Sequence, residues 1–491
     1  MAAGDVFRKL VGKVICKQLA GPFQAHFCGT AAPGQASAPA QFGVAVRSGA
    51  EACVHTVQTA LEANPHWVHI SLDIANAFNT VHRSAIFREV AASFPQLFAY
   101  TQLCYGDSPT LLFKMQGETG VEFGEILSSE GAQQGDPLGT FYWCLANHPV
   151  LSQVVAEVPD VLVPSFIDDV NILGPADSAY LAMGKFIELS RARGGVVVPA
   201  KSHVYSPVGD LGLFPDEMVV DRSGGSRRRL STVLKVPVGL EVDVVRDAFG
   251  DILRKQQRLL GELHRVPCLQ SRGLLLIFCA FPRIGYWTRM APPHLLLEAC
   301  KQYDQAVRGG WQQLHPGAPP GEMSLRAAEL VGGLAPSSRL CSSAYLSSWY
   351  AAQPVMARVF PSLLTQIGDP SSSRLPSLVA LQRADVVVGA AVDALRRAAQ
   401  SNELVPPWAP DVELYSPLHE GGFGVTKPPQ RVHAKALLSE DWMSFRSSLA
   451  PGEQDWLDSL TFGQLGLKFM RTIPSHPGVR LTTEEYHVPS R

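Results

Sequence analysis

The sequence predicts a layered α/β or α+β first half followed by a helical second half, and two observations carry that expectation. Up to about residue 245, β-like runs alternate with helical stretches. Beyond it the β-like runs become scarce, and DVVRDAFGDILRKQQRLLGEL at 243–263 opens a long helical pattern.

The elements follow in chain order. Near the N-terminus Arg8, Lys9, Lys13 and Lys17 accompany Phe7, Leu10, Val11, Val14 and Ile15 at helical spacing, which predicts a basic amphipathic helix, with Asp5 as an N-cap that favours a folded helix over a targeting segment. WVHISLDI at 67–74 reads as a strand that ends in Asp73, and HRSAIFREVAASF at 82–94 as a helix with one apolar face. In SSEGAQQGDPLGTFYWCLANHPVL, 128–151, Gly131 and Gly135 make a loop whose backbone can approach a flat substrate closely. Asp136 then reads as a helix N-cap and Pro137 as the first helical position. VLVPSFI at 161–167 is a strand that runs into the adjacent carboxylates Asp168 and Asp169 of SFIDDVNILG, and AYLAMGKFIELSRARG at 179–194 is a second amphipathic helix. VVVPAKSHVYS at 196–206 is the last strong strand signal. Pro- and Gly-rich connectors at 315–321 and 405–410 mark soft boundaries in the helical half. A faint echo between 332–349 and 421–442, each starting Gly-Gly and closing on Trp, reads as helix packing rather than a true repeat.

Composition narrows the class. At 46% hydrophobic and 18% charged over 491 residues, the chain holds apolar material for two or three cores and is not a disordered protein. Nine cysteines without a CxxC pair fit neither a disulfide framework nor a zinc finger, and point to a reducing, intracellular compartment rather than secretion. The longest apolar run, GLLLIFCAFP at 273–282, falls far short of the ~20 residues a membrane-spanning helix needs. A net charge of −2 argues against phosphate binding over the whole surface, although Arg222, Arg227, Arg228, Arg229 and Lys235 form an acid-free basic stretch.

One Asp at a strand end and two more in a neighbouring hairpin turn can supply the carboxylates for two-metal phosphoryl transfer. That chemistry sets two Mg²⁺ ions about 4 Å apart, one to activate the attacking oxygen and one to steady the leaving group.

The ordered set LDIANAFN at 72–79, GAQQGDPLG at 131–139, FIDD at 166–169 and VVVPAKSH at 196–203 resembles the palm of a reverse transcriptase, most of all those of non-LTR retrotransposons. GDVFRKLVGKV at 4–14 and QFGVAVRSGAEACVHTVQTAL at 41–61 resemble finger segments of the same family, and STVLKVPVGL at 231–240 its primer-grip hairpin. The resemblance implies an α+β right-hand polymerase: fingers and a ferredoxin-like palm sheet over 1–245, a helical thumb over 246–315, and a helical C-terminal region of unknown role over 316–491. It implies Asp73, Asp168 and Asp169 as catalytic metal ligands together with Ile74, and Lys201 as a cation near the leaving pyrophosphate. Phe78 would exclude a ribose 2′-OH, and Ile74, Gln134 and Gly135 would line the nucleotide and template pocket. The implied cofactor is a pair of Mg²⁺ ions, with Mn²⁺ as a substitute. The implied partners are an RNA template, a DNA or RNA primer and deoxynucleoside triphosphates, and the implied place of action is the nucleus. The family's fingers begin with an Arg-Pro-Ile strand that the segment at 4–14 lacks upstream, so the resemblance implies truncated fingers. Two alternatives stay open: an inactive relic that binds RNA, and an RNA-templated RNA polymerase.

Overall fold

In a computed structural model, the structure describes residues 6–33, 35, 37–117, 120–220, 230–314, 322–330, 334–401, 403–411, 415 and 430–462. The basic residues Arg222 and Arg227 to Arg229 lie outside the described residues, as do the expected N-cap Asp5, the connector at 315–321 and the Gly-Gly start at 421. The chain divides into two compact units, Met1–Leu240 with Pro354–Ile367, and Glu241–Gln353 with Gly368–Arg491.

The first unit is mixed α and β. Its elements begin α1 (Val6–Gln18), α2 (Ala20–Phe27), β1 (Ala40–Gln41), α3 (Gly49–Ala63), β2 (Val68–Leu72), α4 (Ala77–Thr80), α5 (Arg83–Ser93) and α6 (Phe98–Tyr105). They continue through β3 (Thr110–Gly117), β4 (Gly120–Leu127), α7 (Gly139–Glu157), β5 (Pro164–Phe166), β6 (Asp169–Gly174), α8 (Ala176–Arg191), β7 (His203–Tyr205), β8 (Ser231–Val233) and β9 (Val236–Val238). Five strands form one sheet in the order β1-β5-β6-β2-β7, and β3–β4 and β8–β9 are separate two-stranded ribbons.

The register of β2 on β6 sets what each face of the sheet carries. Leu72 pairs with Val170, Ser71 with Asn171, Ile70 with Ile172 and Val68 with Gly174. Paired residues in an antiparallel ladder share a face, and neighbours along a strand alternate. Val68, Ile70, Leu72, Val170 and Ile172 therefore point one way, into a core shared with Phe141 and Leu145 of α7 and Ala182 and Phe186 of α8. His69, Ser71 and Asn171 point the other way, toward α3 and β8. The alternation in HISLD and DVNIL thus separates an apolar face from a polar one.

Three expectations need correction. The strand expected over 196–206 is reduced to β7, because Pro199 opens a 3₁₀ turn at Pro199–Lys201 and leaves only an isolated Val197–Ile74 bridge before it. Helix α7 starts at Gly139, not after an Asp136 cap; Asp136 accepts from Leu138 N–H at 2.9 Å but turns its other oxygen to Arg8 and Tyr105. Helix α1 leaves most of its apolar row outside: Phe7 is 76% exposed, Leu10, Val11 and Val14 also face outward, and of the row Ile15 packs against the core. It also docks through Arg8, which bonds Asp136 at 2.6 Å, and through Gly12, where an added Cβ would meet the Pro137 ring at 3.3 Å. The ribbon β3–β4, unanticipated from the sequence, carries exposed Leu112, Phe113, Phe123 and Ile126.

The second unit is helical among the described residues. It comprises α9 (Val242–Gln256), α10 (Arg258–Glu262), α11 (Leu269–Leu275), α12 (Gly285–Met290), α13 (Pro293–Leu314), α14 (Glu322–Leu330), most of α15 (Ser337–Val359), α17 (Pro376–Gln400), α18 (Gln430–Ser448) and α19 (Pro451–Phe462). The intervening α16 (Pro361–Ile367) belongs to the first unit. Asp304 caps α15 by accepting from Ser337 and Ser338 N–H at 2.8 and 2.9 Å. The closing tryptophans of the two echoed segments, Trp349 and Trp442, are both fully buried. No described helix is long and apolar enough to cross a membrane, and all nine cysteines are free.

Candidate active site

Continuing the β2–β6 register by one residue sets Asp73 against Asp169, at the end of the polar file His69, Ser71, Asp73. Asp73 is held through its main chain: its carbonyl accepts from Val198 N–H at 2.9 Å, and its N–H donates to Ser202 Oγ at 3.1 Å. Ala75 N–H bonds the Val196 carbonyl on the other side of Ile74. Ile74 thus occupies the non-hydrogen-bonded site of that pairing with Val197, so its own carbonyl faces away from 196–198, toward the β6 side.

Asp168 and Asp169 sit where β5 turns into β6, and they leave the turn in different directions. The charge of Asp168 reaches the buried Cys144 thiol of α7, and that of Asp169 reaches Cys53 of α3. Burial, then the charge of Asp73, pushes the Asp168 carboxyl above its usual range. Asp169, at the exposed lip, is pushed up to about 6 by desolvation first and then by Asp168 and Asp73, while Lys235 pulls it back. The three carboxylates predicted from the sequence therefore share one electrostatic environment.

A cavity of about 350 Å³ opens here, lined by Asp73, Asp169, Lys201 and Lys235, with Asn171 and His203 behind them. Lys235 stands in the two-residue turn of the β8–β9 hairpin, where Leu234 and Lys235 both adopt left-handed backbone, with φ of 49° and 65°. Such turns favour Asn-Gly, so this one carries strain to place a lysine beside the carboxylates.

Phe78, Gln134 and Gly135 do not line that cavity. Phe78 lies on α4, its half-buried ring tilted against Trp143 at 6.3 Å. Its carbonyl accepts from Ala132 N–H at 2.7 Å, which ties it to the loop that carries Gln134 and Gly135 at an exposed tip. Gly135 has φ 89° with open space around it, so glycine is needed there for its conformation. At Gly131 (φ 78°) glycine is needed for room as well: a Cβ would stand 2.5 Å from the Asn79 carbonyl oxygen.

Several supporting residues have no sequence motif of their own. Arg83, 7% exposed, donates to the carbonyls of Gly131 at 3.2 Å and Asp107 at 3.1 Å and to Ser128 Oγ at 2.9 Å. It thereby staples the base of the β3–β4 ribbon to the Gln-Gly loop. Behind the carboxylates, His69 lies 2.9 Å from Asn171 Oδ1 through Nε2 and 2.7 Å from Ser231 Oγ through Nδ1. His203 Nε2 approaches the same hydroxyl at 2.8 Å. Asn171 Oδ1 can only accept, so a neutral His69 donates to it through Nε2 and accepts from Ser231 through Nδ1, while His203 Nε2 also lies 3.4 Å from the Thr232 N–H. Burial, with His203 nearby, pulls the His69 imidazole down to about 3, so it stays neutral.

Among the described residues, no three His, Cys, Asp or Glu side chains converge on one point to form a metal cage. Mg²⁺ does not require one, since it takes one or two carboxylates and leaves its remaining positions to water and phosphate. Three mutually repelling carboxylates and an outward main-chain carbonyl are the donor chemistry of a hard, oxygen-preferring cation.

No protein-family model and no curated protein matches the chain. Solved structures that share a remote likeness include telomerase from Candida albicans in complex with a fragment of telomeric RNA, at 10% identity and TM-score 0.33 over 72% of this chain and 59% of that one. Telomerase from Candida tropicalis in the same kind of complex gives 10% identity and TM-score 0.34 over 72% and 56%. A C-terminally truncated apo telomerase from Candida tropicalis gives 14% identity and TM-score 0.30 over 42% and 40%. The chain spans about 40–59% of the length of these three structures.

Proposed function

We propose that the chain is an RNA-directed DNA polymerase of the non-LTR retrotransposon type, which extends a primer with deoxynucleotides along an RNA template. The observation that supports it is the register that sets Asp73 opposite Asp169, with Asp168 coupled to both, at the mouth of a cavity that also holds two lysines. On this reading residues 1–245 are fingers and palm, followed by a thumb to about 315, and the enzyme acts in the nucleus, where genomic insertion takes place.

Asp73, Asp168, Asp169 and the Ile74 carbonyl would hold two Mg²⁺ ions. When bound, such ions activate the attacking hydroxyl oxygen and neutralise charge on the leaving group. The chain's own side chains do the rest. Lys201, in the lining of the same cavity, would offer a cation to the departing pyrophosphate. Phe78, fixed by its carbonyl bond to Ala132 and by its packing on Trp143, would be the ring that excludes a 2′-OH. Gln134 and Gly135, exposed at the loop tip, are free to meet a base pair.

The test is primer extension on an RNA template with Mg²⁺ and deoxynucleotides, comparing the chain with its Asp168→Ala, Asp169→Ala double variant. Loss of metal binding worth ~4 kcal/mol of barrier lowers the rate on the order of 10³-fold. Equal rates would refute the site. A chain that binds RNA in a salt-dependent way without incorporation would instead be a binding relic. Unchanged ribonucleotide exclusion in Phe78→Ala would remove the sugar-filter role.

A further inference from the structure

We infer that Gln41 is a positioning residue for the carboxylate turn: its buried side-chain amide holds Ile167 in the left-handed conformation on which the placement of Asp168 and Asp169 depends. The activity arm of this inference rests on the function proposed above; its structural arm does not.

Strands β5 and β6 close with the pair Phe166–Asp169, so Ile167 and Asp168 alone make the turn. Ile167 has φ 56°. A β-branched residue is an outlier there and persists only where its surroundings over-determine it. The determinants all come from β1 and the residues after it. Gln41 Oε1 accepts from Ile167 N–H at 2.6 Å, and Gln41 Nε2 donates to the Ile167 carbonyl at 2.9 Å. One side-chain amide thus satisfies both main-chain groups of one turn residue, as a strand partner would. The same Oε1 accepts from Gly43 N–H at 3.1 Å, which orients the amide. A Cβ at Gly43 would lie 2.4 Å from Ile167 Cγ1 and 2.8 Å from its nitrogen, so only glycine leaves the turn its space. Gln41 is 1% exposed, and β1 itself is registered on β5 through Gln41 opposite Ser165. The stretch Gln41-Phe42-Gly43 is therefore a cradle shaped to the strained residue, placed directly beside the proposed catalytic pair.

Glycine adopts positive φ freely, so Ile167→Gly removes the strain that the cradle offsets and leaves only the two main-chain hydrogen bonds to Gln41. The experiment is a double-variant cycle of Gln41→Met and Ile167→Gly in the full chain, read by primer-extension rate and by thermal unfolding of the metal-free protein. Gln41→Met alone is expected to slow extension by at least about tenfold and to lower the unfolding temperature. In the presence of Ile167→Gly the same change is expected to slow extension by less than about threefold and to lower the unfolding temperature by clearly less than it does beside Ile167. Equal losses with and without Ile167→Gly, in both readouts, would overturn the inference, because a purely packing role for Gln41 is not rescued by relaxing the backbone preference at residue 167. Should Gln41→Met fail to fold, recovery of folding by Ile167→Gly decides the same question. If the parent chain does not extend primers, the polymerase reading fails, and the unfolding cycle still tests the role of Gln41.

Discussion

Arg83→Met isolates the staple that joins the β3–β4 ribbon to the Gln-Gly loop. The substitution keeps most of the aliphatic stem and removes a guanidinium that donates to Gly131, Asp107 and Ser128 and lies over the Tyr105 ring at 5.3 Å. Hydrogen bonds to a charged group are worth about 1.5–3 kcal/mol each when a partner is removed. These bonds, with a longer fourth to the Glu130 carbonyl at 3.4 Å, share one head group and are not additive, and burial already disfavours the charge, pulling the Arg83 pKa down. The net loss should therefore be near that of one to two such bonds, about 3 kcal/mol. For a unit of this size that corresponds to a fall of roughly 6–12 °C in its unfolding temperature. Hydrogen exchange gives the site-specific check: the amides of Gly131 and Ala132, which bond the carbonyls of Val81 and Phe78, should lose protection ahead of the sheet. Arg83→Lys keeps the charge without the planar fork and should recover less than about half of the loss. A change below about 0.5 kcal/mol with unaltered protection at Gly131 and Ala132 would refute the staple.

Two further outcomes follow from the titrating groups. His69 is held neutral to about pH 3 when folded, against an ordinary value near 6.5 when unfolded, so only the unfolded chain takes up this proton between those limits. Its contribution to stability is intact above pH ~6.5 and is lost as pH falls toward ~3, up to tenfold in the folding equilibrium per pH unit; denaturant midpoints that stay level from pH 7 to 4.5 would contradict it. Lys235 restrains the rise of the Asp169 carboxyl, so Lys235→Met should move that titration upward from about 6 in carboxyl NMR of the metal-free chain, and no movement would mean that the ammonium does not face Asp169.

The parts of the site that the sequence made legible are those whose chemistry is local. Asp73 at a strand end and Asp168 and Asp169 between two apolar runs can each be placed from their neighbours, Lys201 was singled out only by the resemblance, and the fold brings Asp73, Asp169 and Lys201 to one cavity. Gln41 and Arg83 were not legible because their partners lie far along the chain, at Ile167 and at Asp107 through Gly131, and nothing in QFG or VHR records those contacts. His69 left a signal that could have been read: in WVHISLDI the polar residues His69, Ser71 and Asp73 recur at every second position, which sets them on one face. The β3–β4 ribbon carried only fragments of that cue, in FKMQ and VEF, since both of its faces mix apolar with charged residues and both are exposed. The exposure of the α1 apolar row has the same origin, because helical spacing predicts a stripe and not which stripe finds a partner.

The alternation of β2 makes the length of this strand a matter of chemical identity. Removing or adding one residue between Val68 and Asp73 would not merely shorten a strand; it would exchange its two faces. The Asp73 carboxylate would turn toward Phe141 and Phe186, and Leu72 or its replacement would enter the polar file in its place. Point substitutions can be graded in this strand, whereas a single-codon insertion or deletion turns a carboxylate at the cavity into a charge inside a hydrocarbon core.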